Sequence, residues 1–147
     1  MLDEEEYIPE EEVRIVVKKI GEDAKVCVVK NELSSFQNII GGLLEPVVFP
    51  EENENIDIVC DDEGKIKGQA GNLYIPHYNE AIVGNCFFVG YDDEGNWISL
   101  TDEQVEKCLN FANKYKILPN EDIYNNYYKV VDRINEIYCK NEEALTQ

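Results

Sequence analysis

An α+β domain, with a largely antiparallel β-sheet of about five to seven strands packed by two to three α-helices, is the fold class this sequence predicts. Three observations lead there. Short β-branched and apolar runs, closed by Gly, Asp or Asn, recur over residues 13–100. A helical pattern at 31–42 interrupts them, and another with a complete start signal follows at 101–116. The chain has 147 residues and is 44% hydrophobic, enough for one domain with a sizeable core.

The elements follow in order. Residues 3–12, DEEEYIPEEE, hold seven acids in ten positions and read as an acidic arm. The run VRIVVKKIGEDAKVCVV (13–29) places two β-branched stretches around Gly21–Ala24, a hairpin pattern. In NELSSFQNIIGG (31–42), Leu33, Phe36, Ile39 and Ile40 recur at helical spacing, and Gly41-Gly42 ends the helix. EPVVFP (45–50) is a short strand closed by Pro50, followed by the polar loop 51–55.

One tetrapeptide, Asp-Asp-Glu-Gly, then appears twice, at 61–64 and 92–95. NIDIVC (55–60) and KIKG (65–68) flank the first copy; AIVGNCFFVGY (81–91) and NWISL (96–100) flank the second. Each set reads as strand, turn, strand, and 81–91 is apolar on both faces, as a central strand is. A calcium loop of EF-hand type needs oxygen ligands at positions 1, 3, 5 and 12 and Gly at 6. Counted from Asp61, position 5 is Lys65; counted from Asp92, position 6 is Trp97. The turn reading accounts for every letter: Asp begins a type I turn, and Gly takes the left-handed position after it. No metal site and no cofactor are expected.

Thr101 and Gln104 form a capping box, Leu100 and Val105 a hydrophobic staple, and Asp102 and Glu103 suit the positive end of a helix. Val105, Cys108, Leu109, Ala112 and Tyr115 make its apolar face. A further helix begins near Pro119-Asn120, with the heptad-like stripe Ile123, Tyr127, Val130, Ile134 and Ile137. The expected organisation is an acidic arm over 1–12, a core over 13–118 and an appended helix over 119–147. Tyr127, Val130, Ile134 and Ile137 are candidate interface residues, through which a homodimer would form.

Chemistry-bearing residues are sparse. The five cysteines, Cys27, Cys60, Cys86, Cys108 and Cys139, have no metal-ligand spacing and read as small core residues. His77 is the only histidine, in a loop-like segment with no motif placing a nucleophile beside it. No catalytic residue is assigned. The first residues lack the pattern of a secretory signal, no run is long enough to span a membrane, and a cytoplasmic protein is expected. The charge is lopsided: 31 acids against 13 bases, net −18. Such a field repels nucleic acid and anionic membranes and attracts basic partners.

Three segments in order, LSSFQNIIGGLLEPVVF (33–49), IVCDDEGKIKGQAGN (58–72) and AIVGNCFFVGYDDEGNWISLTDEQVEK (81–107), resemble the bacterial domain of unknown function catalogued as 3846. The shared features fall on Gly41, Gly42, Glu45, Asp61, Gly64, Lys65, Asn72, Gly84, Gly90, Ser99, Leu100, Thr101 and Gln104. The resemblance covers about 13–116, and the acidic arm and tyrosine-rich tail depart from it. It implies a setting in phages, plasmids and conjugative elements, and no catalytic residues.

Two functional classes follow. The first is a non-enzymatic accessory protein that binds a basic host protein. As a nucleic-acid mimic of anti-restriction or anti-CRISPR type, it would fill a basic groove without itself binding nucleic acid. The carboxylates expected to do this are Asp61, Asp62, Glu63, Asp92, Asp93 and Glu94, provided the two turns lie at one end of the sheet. The second is a small-ligand binder or enzyme with a site near 72–80, a segment that contains Asn72 and His77.

Overall fold

A computed structural model describes residues 11–51 and 53–117. The acidic-arm residues 1–10 and the stripe with Tyr127, Val130, Ile134 and Ile137 lie outside the described residues.

β1 (Glu12–Lys18) and β2 (Lys25–Lys30) form the expected hairpin, in register from Glu12 opposite Lys30 to Val17 opposite Lys25. α1 (Leu33–Ile40) buries Phe36 and Ile40, and its last turn closes on Gly41 at φ 78°. β3 (Leu44–Val48) and β4 (Ile56–Asp61) are antiparallel neighbours. β5 (Gly71–Ile75) and β6 (Glu80–Val83) make a small second sheet. β7 (Cys86–Tyr91), β8 (Trp97–Ile98) and α2 (Asp102–Lys114) complete the fold.

The main sheet has the order β2-β1-β7-β4-β3, with β8 pairing β7 beside that path. Its pairings are antiparallel, so the architecture is the α+β one that the pattern predicts. Pro46 sits in edge strand β3, where a missing N–H is tolerated. β7 is central, and five of its six residues are buried.

Period-two alternation sorts the core into two layers. On one face Phe36 and Ile40 of α1 cover Ile15, Val17, Val59, Phe87 and Val89. Phe36 stacks on Phe87 at 5.2 Å and meets the edge of Trp97 at 5.0 Å. On the other face α2 and the β5–β6 hairpin cover Val16, Ile58 and Phe88. Phe111 of α2 lies 4.9 Å from Phe49 and 6.2 Å from Phe88. Truncating such a buried ring to Ala costs about 3–5 kcal/mol.

The structure departs from the sequence reading in three places. Residues 65–68 are a turn, not a strand. The segment 69–80 supplies most of a hairpin, with a bulge between Gly71 and Leu73. The apolar run 81–91 is two strands in two sheets, broken where Gly84 adopts φ 78° and lets the chain change sheets. The helix start at Thr101 is as expected: Thr101 Oγ1 accepts from Gln104 N at 3.1 Å, and Gln104 Oε1 accepts from Thr101 N at 2.9 Å.

Candidate functional site

Both copies of the repeated tetrapeptide begin with the same local chemistry. Asp61 Oδ1 accepts from Glu63 N at 2.9 Å, and Asp92 Oδ1 accepts from Glu94 N at 3.0 Å. Gly64 N donates to Asp61 O at 3.1 Å, and Gly95 N to Asp92 O at 3.0 Å. A short Asp side chain that mimics a backbone acceptor favours this turn. Beyond the glycine the copies diverge. Gly95, at φ 84°, turns the chain back, and Asp92 N donates to Asn96 O at 2.9 Å to close the β7–β8 hairpin. After Gly64 the chain instead continues into a helical turn, in which Lys67 N donates to Glu63 O at 2.9 Å.

The two copies do not share an end of the sheet. β4 and β7 are antiparallel, with Ile56 opposite Gly90 and Val59 opposite Phe87. Asp61 closes β4 and Asp92 follows β7, so they leave in opposite directions. At about 3.3 Å per residue, the five steps from Ile56 to Asp61 alone span about 17 Å. The six carboxylates proposed from sequence are therefore not one surface.

Asp61 is buried and already engaged within the domain. Its side chain has no exposed surface, and its Oδ2 accepts from Lys67 Nζ at 2.8 Å and Gln69 Nε2 at 3.2 Å. Gly42 makes room for it: a Cβ there would lie 2.7 and 2.8 Å from the two carboxylate oxygens. Burial opposes the charge, but Lys67, the Glu63 N–H and Gln69 together hold the carboxyl below its usual range. Asp92 is likewise engaged, chiefly by the backbone N–H of Asn96, which lowers its pKa. The outward acids are Asp62 and Glu63 at one end and Asp93 and Glu94 at the other.

The end bearing Asp93 and Glu94 is the more acidic one. The start of α2 brings Asp102, Glu103 and Glu106 there, and the β3–β4 connection brings Glu51 and Glu54. Gln104 Nε2 ties the two together by donating to Glu54 O at 2.5 Å. Two cations of this end are already engaged. Arg14 pairs with Asp102 at 2.9 Å and donates twice to Leu100 O. Lys107 pairs with Glu54 and with Glu51 at 3.7 Å; the Glu54 hydrogen bond, before all else, raises its pKa. The opposite end mixes signs: Lys67 with Asp61, Lys65 with Glu80, Lys25 with Glu22. Sequence reasoning missed this polarity, because only the topology brings Glu54, Glu94 and Glu103 to one end.

Asn72 does not line a pocket. It is fully buried, donating to Lys18 O at 2.8 Å and Gly84 O at 2.9 Å and accepting from Lys18 Nζ at 2.8 Å. His77, exposed on the β5–β6 turn, borders two open clefts of about 240 and 270 Å³. A more enclosed cleft of about 380 Å³ lies between β3–β4 and β6, with Val47, Cys60, Ala81 and Ile82 among its apolar lining. Glu45, Asp62, Lys65 and Glu80 contribute its charged lining.

These features define a class: an acidic α+β domain whose antiparallel sheet carries one helix on one face and a helix with a hairpin on the other. The chain belongs to the family described as a domain of unknown function, DUF3846, whose model matches residues 12–115. Neither the comparison with curated proteins nor that with solved structures returns a match. Several positions of the family-like pattern have structural work: Gly42 admits Asp61, Asn72 joins the sheets, and Gln104 caps α2. No helix of the described residues is long and apolar enough to cross a membrane.

Proposed function

We propose that this chain is a non-enzymatic binding protein whose acidic end engages a basic surface on a partner protein, in competition with nucleic acid. The carrying observation is the gathering of Asp93, Glu94, Glu103 and Glu106, all exposed, at an end whose Arg14 and Lys107 are already ion-paired. Carboxylates on a rigid sheet end and the first turns of a helix need little ordering on binding, and their field steers a cationic partner. The setting we propose is a phage, plasmid or conjugative element, where blocking a basic restriction, CRISPR or DNA-processing protein of the host benefits the element. This retains the mimic reading but moves its surface away from Asp61, Asp62 and Glu63.

The test is capture from a host lysate by the full chain, followed by challenge with duplex DNA. The reading expects a basic, nucleic-acid-binding protein that DNA displaces. It expects that protein to be lost with Asp93→Asn, Glu94→Gln, Glu103→Gln and Glu106→Gln together. Retention of the same protein by this variant would defeat the reading. A second reading, a small-ligand binder, is favoured by the 380 Å³ cleft with its apolar lining. It moves the ligand site predicted at 72–80 to the cleft bounded by Glu80–Val83.

A further inference from the structure

We propose that Cys60 and Cys86 form a cross-strand dithiol that a small peroxide closes to a disulfide, fastening β4 to β7 inside the folded domain. The observation is geometric. With Ile58 opposite Phe88 and Val59 opposite Phe87, the register carried one residue further sets Cys60 opposite Cys86. Both side chains join the same core cluster, so they point to the same face. Directly opposed residues of an antiparallel pair have Cα atoms about 4.5 or 5.5 Å apart. A disulfide spans roughly 4.4–6.8 Å between Cα atoms, so closure needs little backbone movement. Cys27 belongs to the cluster on the other face, which separates it from this pair.

The surroundings give the two thiols different roles. Cys60 lines the 380 Å³ cleft, which gives a small oxidant a route to its sulfur. Cys86 is fully buried and accepts from Asn72 Nδ2 at 3.6 Å. Burial pushes the Cys60 thiol up to about 12, with Glu45, Asp61 and Asp62 adding to the rise, and burial also raises the Cys86 thiol, with Cys60 adding to it. The pair is therefore slow toward oxidants at neutral pH, and the Lys18 ammonium acts the other way on Cys86. In the first step Cys60 sulfur attacks one peroxide oxygen, loses its proton, becomes a sulfenic acid and releases water. In the second, Cys86 sulfur attacks the Cys60 sulfur, loses its proton and releases a second water. Two thiols and one hydrogen peroxide give one disulfide and two waters, and the two electrons reduce the peroxide.

The experiment treats the folded, full-length protein with hydrogen peroxide, alkylates remaining thiols and maps linked peptides by mass spectrometry. The expected product joins Cys60 to Cys86, is reversed by dithiothreitol, and shifts the urea midpoint of the oxidised protein. In Cys86→Ala, which removes the second thiol, Cys60 is expected to persist as a sulfenic acid trapped by dimedone. Oxidation of Cys27 with Cys60 and Cys86 still reduced would overturn the proposal, as would linkage of either to another cysteine. If Cys86→Ala does not fold, the wild-type peptide map alone decides.

Discussion

Lys18 and Asn72 hold each other in a closed pair: Lys18 Nζ donates to Asn72 Oδ1 at 2.8 Å, and Asn72 Nδ2 donates to Lys18 O at 2.8 Å. The pair joins β1 of the main sheet to β5 of the small one. Asn72 also reaches Gly84 O, at the point where the chain changes sheets. One side chain thus ties both sheets and the crossing between them. Replacing Asn72 by Ala removes three buried hydrogen bonds and leaves Lys18 Nζ with Lys19 O alone, and about 3 kcal/mol of stability should be lost in urea unfolding. Asn72→Asp should also destabilise, because a carboxylate cannot donate to the two carbonyls.

Lys18 is 3% exposed, and burial lowers its pKa from the ordinary 10.5. The unfolded chain then binds this proton more tightly than the folded one. The contribution of Lys18 to stability should therefore rise with pH across the window that ends near 10.5. Comparing wild type with Lys18→Met by urea unfolding at alkaline pH checks the sign. The stability of Lys18→Met relative to wild type should decline as pH rises through that window.

Asp61 and Asp62 are neighbours in sequence with opposite expected behaviour. Asp61→Asn should cost about 1–3 kcal/mol, since Lys67 and Gln69 lose a buried acceptor. Asp62→Asn should stay within about 0.5 kcal/mol of wild type. With its folded pKa lowered, Asp61 stabilises the fold above the ordinary carboxylate value of 3.8, and this is lost as pH falls through the folded value. Acid unfolding followed by circular dichroism should show a smaller acid loss in Asp61→Asn.

The repeated turns make a separate prediction. Gly95→Val forces a β-branched residue into the left-handed region and should cost about 1–2 kcal/mol. Gly84→Ala should also destabilise, because φ 78° strains a side chain there and its Cβ would displace the Gln69 amide that donates to Asp61. Added calcium should not raise the melting temperature of the wild type; a rise of many degrees would revive the metal-loop reading.

Local chemistry made much of the fold legible. The capping box at Thr101, the hairpin around Gly21 and the stop at Gly41 are each set within a few residues. What escaped depends on distant contacts. Asp61 and Asp92 share the same four-residue turn, but Gly64 faces Gln69 and Val83 where Gly95 faces open space. Asn72 looks like a loop residue until β1 arrives with Lys18. The acidic end was invisible because antiparallel pairing, not spacing along the chain, decides which acids become neighbours.

The most direct measurement is the salt dependence of affinity for the captured basic protein. It compares wild type, the variant neutralised at Asp93, Glu94, Glu103 and Glu106, and a control neutralised at Glu22, Asp23, Asp62 and Glu63. Each carboxylate that contacts the partner's cations steepens the fall of affinity with salt. The acidic-end variant should bind about tenfold weaker or worse at low salt and show a shallower slope, while the control follows wild type. Equal losses in both variants, or none in either, would show that the charge acts only as a diffuse solubilising field and contradict a binding surface at this end.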